Sequence, residues 1–322
     1  MKSKCILRFL FGILILLRLT GCSNYTEINN VMIVDGIGID KINDKYLVSF
    51  NTYKGDNKYE IYNVLVDDLD TSFNEIYLLV NKKIYLSHLN ILLINSSLSN
   101  DDMLEIFNTF NNRGDLRGSF LVAMVNNYNT DIFTNENIPE LLENNYKEAG
   151  NIYPTTFNEI ISNYLDYEIS YIPVINNNDL SIAGTHSIFD EYHFYNQEES
   201  SYLNLVFDKL NTYSFDINNS PVQLINIDTY YLVNDNNISI NIDSIYISDL
   251  RENEIKSYLV NKINYFLEKD ISTNYFINII KKYNYDYYSK NNNFEIDFDI
   301  NISLNKEEFN NTREDDLFEK NS

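Results

Sequence analysis

The residue whose setting carries the most definite chemistry is Cys22, which closes the run Leu19-Thr20-Gly21-Cys22. A thiol in this position is the nucleophile that takes a diacylglyceryl group, and the small residues before it let a peptidase close on the chain and cut between Gly21 and Cys22. Twenty-one residues precede it. Lys2, Lys4 and Arg8 form a basic start, and Phe9–Leu17 form a short apolar run, broken by Arg18 just before the motif. That layout is a secretory leader, and the apolar run is short for a ~30 Å hydrocarbon core. Cys5 lies in the leader, so the mature chain keeps one cysteine, with no partner for an intrachain disulfide. Two acyl chains on Cys22 would bind a bilayer far more firmly than one, since each buried methylene contributes roughly 0.8 kcal/mol.

The other chemistry-bearing residues are scattered. His88, His186 and His193 each stand apart from further ligands, whereas a zinc site needs several histidine or cysteine donors, so no metal is expected. Adjacent carboxylates occur at Asp67-Asp68, Asp101-Asp102, Glu198-Glu199 and Glu307-Glu308. In so acidic a chain they read as solvated faces. Asp297-Phe298-Asp299 puts both acids on the polar side of an alternating strand and lacks the glycine and the twelfth-position acid of a calcium loop. Gly36-Ile37-Gly38 lacks the third glycine and the following helix of a dinucleotide fingerprint. Those two glycines instead point to a bulge or a close approach of backbone. No P-loop and no G-x-S-x-G sequence is present. Neither catalytic residues nor a cofactor site is expected, and the chain reads as a non-enzyme.

The charge balance excludes further classes. The 322 residues hold 24 Lys+Arg against 47 Asp+Glu. Four of the basic residues precede Cys22, which leaves 20 basic against 47 acidic residues, a formal charge of −27 on the remainder. Such a polyanion repels nucleic acid, whose binding rests on neutralising phosphates, and its body as a whole repels anionic lipid. Attachment to a membrane must then be covalent or hydrophobic. Apolar residues make up 44%, and the mean hydropathy of −0.31 still leaves a sizeable core to bury. Tyr numbers 27 and Phe 19 while Trp is absent, the skew of an AT-rich coding sequence. Most tyrosines fall in periodic segments.

Periodicity outlines the elements that must carry these residues. Val31–Asp40 and Lys45–Tyr53 read as strands of a hairpin with its turn at Asn43-Asp44. Thr71–Lys83 has a helical stripe of Phe73, Ile76, Tyr77 and Val80, and Leu89–Ile94 is a buried strand. Ser99–Arg113 starts on a capping serine and carries Leu104, Ile106, Phe107 and Phe110. Ser119–Val125 is a further strand, Thr130–Asn151 shows little periodicity, and Pro154–Tyr167 is helical. After a polar break at Asn176–Asp179 come a strand at Leu180–Phe189 and a helix at Gln197–Leu210. A hairpin follows, Ile225–Val233 with Ile238–Ile247, and then helices at Leu250–Lys269 and Tyr275–Tyr288. The last element is the alternating strand Phe294–Leu304. The fold class is therefore α+β, mixed sheets with covering helices. The expected division is 1–21 leader, 22–30 lipidated tether, 31–175 N-terminal α/β domain, 176–308 C-terminal α/β region divisible into two subdomains, and 309–322 acidic tail.

These residues resemble a known family. Leu19-Thr20-Gly21-Cys22, then Glu27-Ile28-Asn29-Asn30, then Val31–Asp40 (VMIVDGIGID) are similar to the opening of the Ger(x)C spore germination lipoproteins. Ser87–Ile94 (SHLNILLI), Arg113–Val125 and Ile182–Phe189 with Gly184 resemble later segments, in matching order over most of residues 19–270. Ser23-Asn24 stands where the family has Trp-Asp, and the stretch after Asp270-Ile271 reads as shorter than the family's last helix and strands. The resemblance implies a mixed α/β, three-domain C subunit of a nutrient germinant receptor. Such a subunit has no enzymatic activity or cofactor. It is lipid-anchored at the extracytoplasmic face of the cell membrane, in the spore at the inner membrane, beside integral membrane A and B subunits. The residue role it carries over is lipidation of Cys22. The alternative reading is an extracytoplasmic solute-binding lipoprotein of a transporter.

Overall fold

A computed structural model of the chain describes residues 30–55, 58–135, 138–166, 168–189, 192–270, 273–291 and 295–307. Cys22, the leader, the tether before residue 30 and the tail after residue 307 lie outside the described residues.

The structure is built on two mixed sheets. The first contains β1 (Val31–Ile42), β2 (Lys45–Gly55), β3 (Lys58–Val66), β4 (Lys83–Tyr85), β5 (Ile91–Asn95), β6 (Leu121–Asn126), β7 (Thr155–Thr156), β8 (Ser170–Asn176), β9 (Ile182–Ile188) and β10 (Phe194–Asn196). Its order is β10-β9-β8-β6-β5-β1-β2-β3, with β4 beside the start of β1 and β7 beside β6. The centre, β1-β5-β6-β8, is parallel, and the hairpins at both ends add antiparallel edges. The polar break at 176–179 is a hairpin turn between β8 and β9 of this sheet. The change of sheet comes about twenty residues later, across α6 (Gln197–Val206).

Helices cover both faces of this sheet. On one side lie α1 (Leu69–Val80), α2 (Asn100–Asn111) and α5 (Phe157–Leu165), whose Phe73, Phe110 and Phe157 meet Phe50 and Phe120 in one aromatic core. On the other side α3 (Ile132–Asn135) and α4 (Ile138–Glu148) press Ile132, Ile138 and Leu142 onto Leu93, Ala123 and Val125. Local rules fix the ends. Asn43 and Asp44 take φ of 50° and 62° to turn the first hairpin, a conformation Asn and Asp tolerate. Ser99 and Asp102 form a reciprocal capping box, and so do Thr156 with Glu159 and Asn196 with Glu199.

The second sheet is β11 (Thr212–Ile217), β12 (Ser220–Asn234), β13 (Asn237–Ile247) and β14 (Asp297–Lys306), in that order, with β14 parallel to β13. The crossover between those two strands holds α7 (Glu252–Asp270), α8 (Thr273–Tyr283) and α9 (Tyr285–Lys290). Ile255, Leu259, Ile263 and Phe266 of α7 and Phe276 and Ile280 of α8 are buried against Leu224, Ile238, Ile240 and Ile242. The strict alternation read in the last segment is that of β14, whose Phe298, Ile300 and Ile302 lean on this core while Asp297 and Asp299 face water.

Candidate functional site

Three of the four adjacent carboxylate pairs turn out to hold the fold, and Glu308 of the fourth lies outside the described residues. Asp68 caps α1 by accepting from the Asp70 N–H, and Asp67 pairs with Lys45. Asp101 and Asp102 lie in the first turn of α2, where negative charge opposes the helix dipole. Asp102 also receives the Lys41 ammonium at 2.6 Å and the Tyr46 hydroxyl at 3.0 Å, which ties α2 to the β1-β2 hairpin. Burial alone would raise the Asp102 carboxyl. The donors Lys41, Ser99 and Tyr46 outweigh it and hold the group at about 2. Tyr46, buried and donating to Glu105 at 2.7 Å, is pushed well above the usual phenol range. Glu199 completes the α6 cap, while Glu198 takes Lys262 at 2.7 Å and the Tyr202 hydroxyl at 2.9 Å. The Ser99 cap is visible in the sequence, whereas at Asn196 the same signal, an acid three residues on, is masked by the abundance of acids around it.

The histidines are dispersed. His88 sits in the turn before β5 with its ring 5.6 Å from Tyr85. His186 is buried in β9 under Tyr192, ring centroids 4.1 Å apart, and burial lowers its pKa. His193 packs on Tyr195 at 4.5 Å. Among the described residues no group of three or more His, Cys, Asp or Glu side chains could hold a metal ion. Also among them, no helix is long and apolar enough to cross a membrane.

The two glycines of the first strand have a structural use. The register of β1 on β2 shifts between Val34 and Gly36, as a bulge requires. A Cβ on Gly36 would come 2.7 Å from the Phe133 ring, and one on Gly38 would come 1.8 Å from the Tyr128 hydroxyl. Side chains from the α3 region thus lie directly on bare strand backbone.

What remains for recognition is surface. An open groove of about 930 Å³ lies at the end of the second sheet, among Ser214, Asp216, Asn219, Gln223, Ser248 and Asp249. It offers polar and acidic groups around Phe215 and Pro221, fit for reversible contact with a polar or cationic surface. A second groove of about 610 Å³ lies where β1 begins, between Val31, Ile33, Tyr53 and Leu79. Beside it α1 ends in Tyr77, Leu78 and Leu79, all exposed. The helical stripe in the sequence assigned Tyr77 to the core. The structure buries Leu69, Ser72, Phe73 and Ile76 instead.

Comparison with known proteins bears on the whole arrangement. A family model described as the spore germination protein N-terminal domain matches residues 24–177. The structure superposes on the crystal structure of the GerBC protein with a TM-score of 0.52 and 17% sequence identity, covering 85% of this chain and 97% of that one. No curated protein sequence matches. The family domain spans the first sheet through β8, and the likeness to GerBC, over 85% of this chain, extends beyond that domain. With the motifs at Val31–Asp40 and Ser87–Ile94 lying on β1 and at β5, beside one another at the centre of that sheet, residues 24–177 carry the spore germination protein N-terminal domain, and the chain is similar in fold to the GerBC protein.

Proposed function

We propose that the chain works as the membrane-anchored C subunit of a nutrient germinant receptor, docking on integral membrane A and B subunits at the outer face of the spore inner membrane. The observation that supports this most is the spore germination domain over residues 24–177, folded as in GerBC. The surface chemistry agrees with it. The described side chains present grooves and exposed tyrosines, and the three fully described carboxylate pairs lie at helix starts and in ion pairs. In this reading Cys22 carries a diacylglyceryl group and a further acyl chain such as palmitate. Confinement to the membrane plane turns docking into a nearly intramolecular event and raises the effective concentration beside the partners.

The test is Cys22→Ala in the full-length gene. Fractionation is expected to move the protein from membranes to the aqueous phase, and spores carrying only this copy are expected to lose their response to nutrient. Full germination with the variant in the aqueous phase would refute the role of the anchor. A wild-type germination response after deletion of the whole gene would refute the receptor reading.

A further inference from the structure

We propose that the end of the first sheet where β1 begins is a lipid-facing tip. It would seat tyrosine and leucine side chains at the headgroup boundary of an anionic bilayer while lysines meet the phosphates. This rests on the anchoring reading of Cys22 given above and adds to it a defined contact surface and orientation.

Five elements converge on this tip. Pairing sets Tyr59 of β3 opposite Tyr53 of β2, Tyr53 opposite Ile33 of β1, and Ile33 opposite Tyr85 of β4. Directly paired residues share a sheet face, so three tyrosines and an isoleucine form one cross-strand row. The Tyr53 and Tyr59 rings meet edge to face at 5.6 Å. Met32 and Val34, on the opposite face, belong to the buried core. Around the end of the sheet, α1 adds Leu78 and Leu79, 71% and 60% exposed, and Tyr59 is 51% exposed. Leu79 shares the groove where β1 begins with Ile33 and Tyr53 of the row, so the open leucines of the last turn of α1 border the aromatic row around the end of the sheet, the kind of apolar surface that marks an interaction site.

The charges single out lipid. The segments Tyr53–Tyr62 and Tyr77–Tyr85 hold Lys54, Lys58, Lys82 and Lys83 against Asp56 and Glu60. With Asp35 of β1, which acts on Tyr59, this makes four lysines against three acids, a small local excess of positive charge in a chain whose formal net charge is −23. Glu60 is engaged by Lys54 and by the Tyr62 hydroxyl. Tyrosines with flanking lysines are the side chains that settle at a membrane interface, rings at the headgroups and ammonium groups reaching to phosphate. The acidic remainder is repelled by the same surface, so charge alone would turn this end toward the bilayer.

The tether leads to the same place. The described strand begins at Val31, which pairs with Lys83 and lines the groove beside Leu79. Eight residues, 23–30, separate it from Cys22. At ~3.3–3.6 Å per residue such a stretch spans at most about 30 Å. An acylated Cys22 therefore cannot lie far from this end of the sheet.

Because the chain has no tryptophan, one placed by mutation reports alone. The unacylated chain from Cys22 onward is coupled through its thiol to a maleimide lipid in vesicles of phosphatidylcholine and phosphatidylglycerol, with and without brominated acyl chains. The tether is thereby supplied chemically, and this result does not depend on natural acylation, which intact mass of the membrane-extracted protein reads separately. Leu79→Trp is expected to shift its emission to the blue and to lose about half of it to brominated lipid, as a ring at the headgroup–acyl boundary should. Leu232→Trp, 61% exposed on β12 of the other sheet, is expected to stay water-like. Adding Lys54→Glu, Lys82→Glu and Lys83→Glu to Leu79→Trp is expected to abolish most of the quenching. Tyr85→Trp serves as a second probe should Leu79→Trp alter the unfolding midpoint. Water-like, unquenched emission from both tip probes overturns the proposal and leaves this surface to a protein partner. Equal quenching of the Leu232→Trp variant overturns it as well.

Discussion

Adding a single methyl group at Gly38 should unsettle the first sheet, and the cost can be worked from its surroundings. A Cβ there would lie 1.8 Å from the Tyr128 hydroxyl, 2.7 Å from the ring carbon bearing it and 3.0 Å from the Phe133 ring. Tyr128 is half-buried and packs with Phe133 against the core formed by Leu93, Ala123 and Val125. Burial of its hydroxyl pushes its pKa far up, and the hydroxyl lies near that of Ser49 without a hydrogen bond of good geometry to either. Overpacking of this kind costs about 1–3 kcal/mol, a large share of the 5–15 kcal/mol typical of a domain. Gly38→Ala should therefore lower the urea midpoint by roughly 1 M, given a slope of about 1–3 kcal/mol per molar. The double variant Gly38→Ala, Tyr128→Phe removes the atom in closest conflict and should recover at least about 1 kcal/mol relative to the sum of the single effects. Urea titrations of the four proteins, followed by tyrosine fluorescence and by circular dichroism, supply the cycle. Additivity within about 0.5 kcal/mol would show that Tyr128 is not what keeps this position bare.

Two further outcomes follow from the charge network and the caps. Asp102 is only 13% exposed and is held below its free value by Lys41, Ser99 and Tyr46. Its stabilisation, about 1–2 kcal/mol, is fully present above its unfolded pKa of about 4 and is lost as pH falls toward about 2. Asp102→Asn should thus be less stable than the parent near neutral pH, with the gap closing in acid; a gap that stays constant down to about pH 2 would be the wrong sign of dependence. Asn196→Ala, which removes the cap of the buried helix α6, should cost about 1 kcal/mol, whereas Lys262→Ala at its exposed ion pair should stay within about 1 kcal/mol; thermal unfolding that ranks them the other way round would contradict this account.

What could be read in advance was what local chemistry decides. The β1-β2 hairpin was marked by Asn43-Asp44, the α2 start by Ser99, and the β12-β13 hairpin by its Asn-Asp-Asn-Asn turn, where Asp235 takes φ of 55°. Strand β3 escaped notice because it is an edge, half-exposed on both faces, so its residues follow no period of two. Strand β8 was hidden by Pro173 in its middle, which ordinarily argues against a strand. Here β6 begins to pair with β8 only at Val174, so on that side Pro173 has no ladder partner, while on the other it stands opposite Thr185 of β9. Helix α4 buries only Ile138 and Leu142, too few for a visible stripe. The reading of Cys22 rests on the motif alone, and that residue lies outside the described residues. The tip was illegible for the opposite reason. Tyr77-Leu78-Leu79-Val80 has the composition of a core segment, and only the packing of α1 shows that two of its leucines have nothing over them.

The two sheets do not behave as beads on a string. Every residue from Ser200 to Val206 of α6 is buried, the mark of a helix packed on several sides. Tyr195, from the last strand of the first sheet, sits in the second core with its ring 6.0 Å from Phe266, and Tyr171 of β8 stands 5.2 Å from Phe207. Beside them backbone meets backbone. Ser214 donates through its N–H to the Ala149 carbonyl at 3.2 Å and through its hydroxyl to that of Glu148 at 3.0 Å. Gly150, at φ of 67°, leaves no room for a Cβ before the Thr212 carbonyl. An exposed hinge would need few buried contacts and loose backbone bonds, and this junction has neither. The junction lies at the β8-β9-β10 edge of the first sheet, and the tip lies at the other, β1-β2-β3 side. With the tip on lipid, a rigid junction means that the open groove at the end of the second sheet keeps a fixed height and direction above the membrane, so the surface offered to a partner is set by how the first sheet is seated.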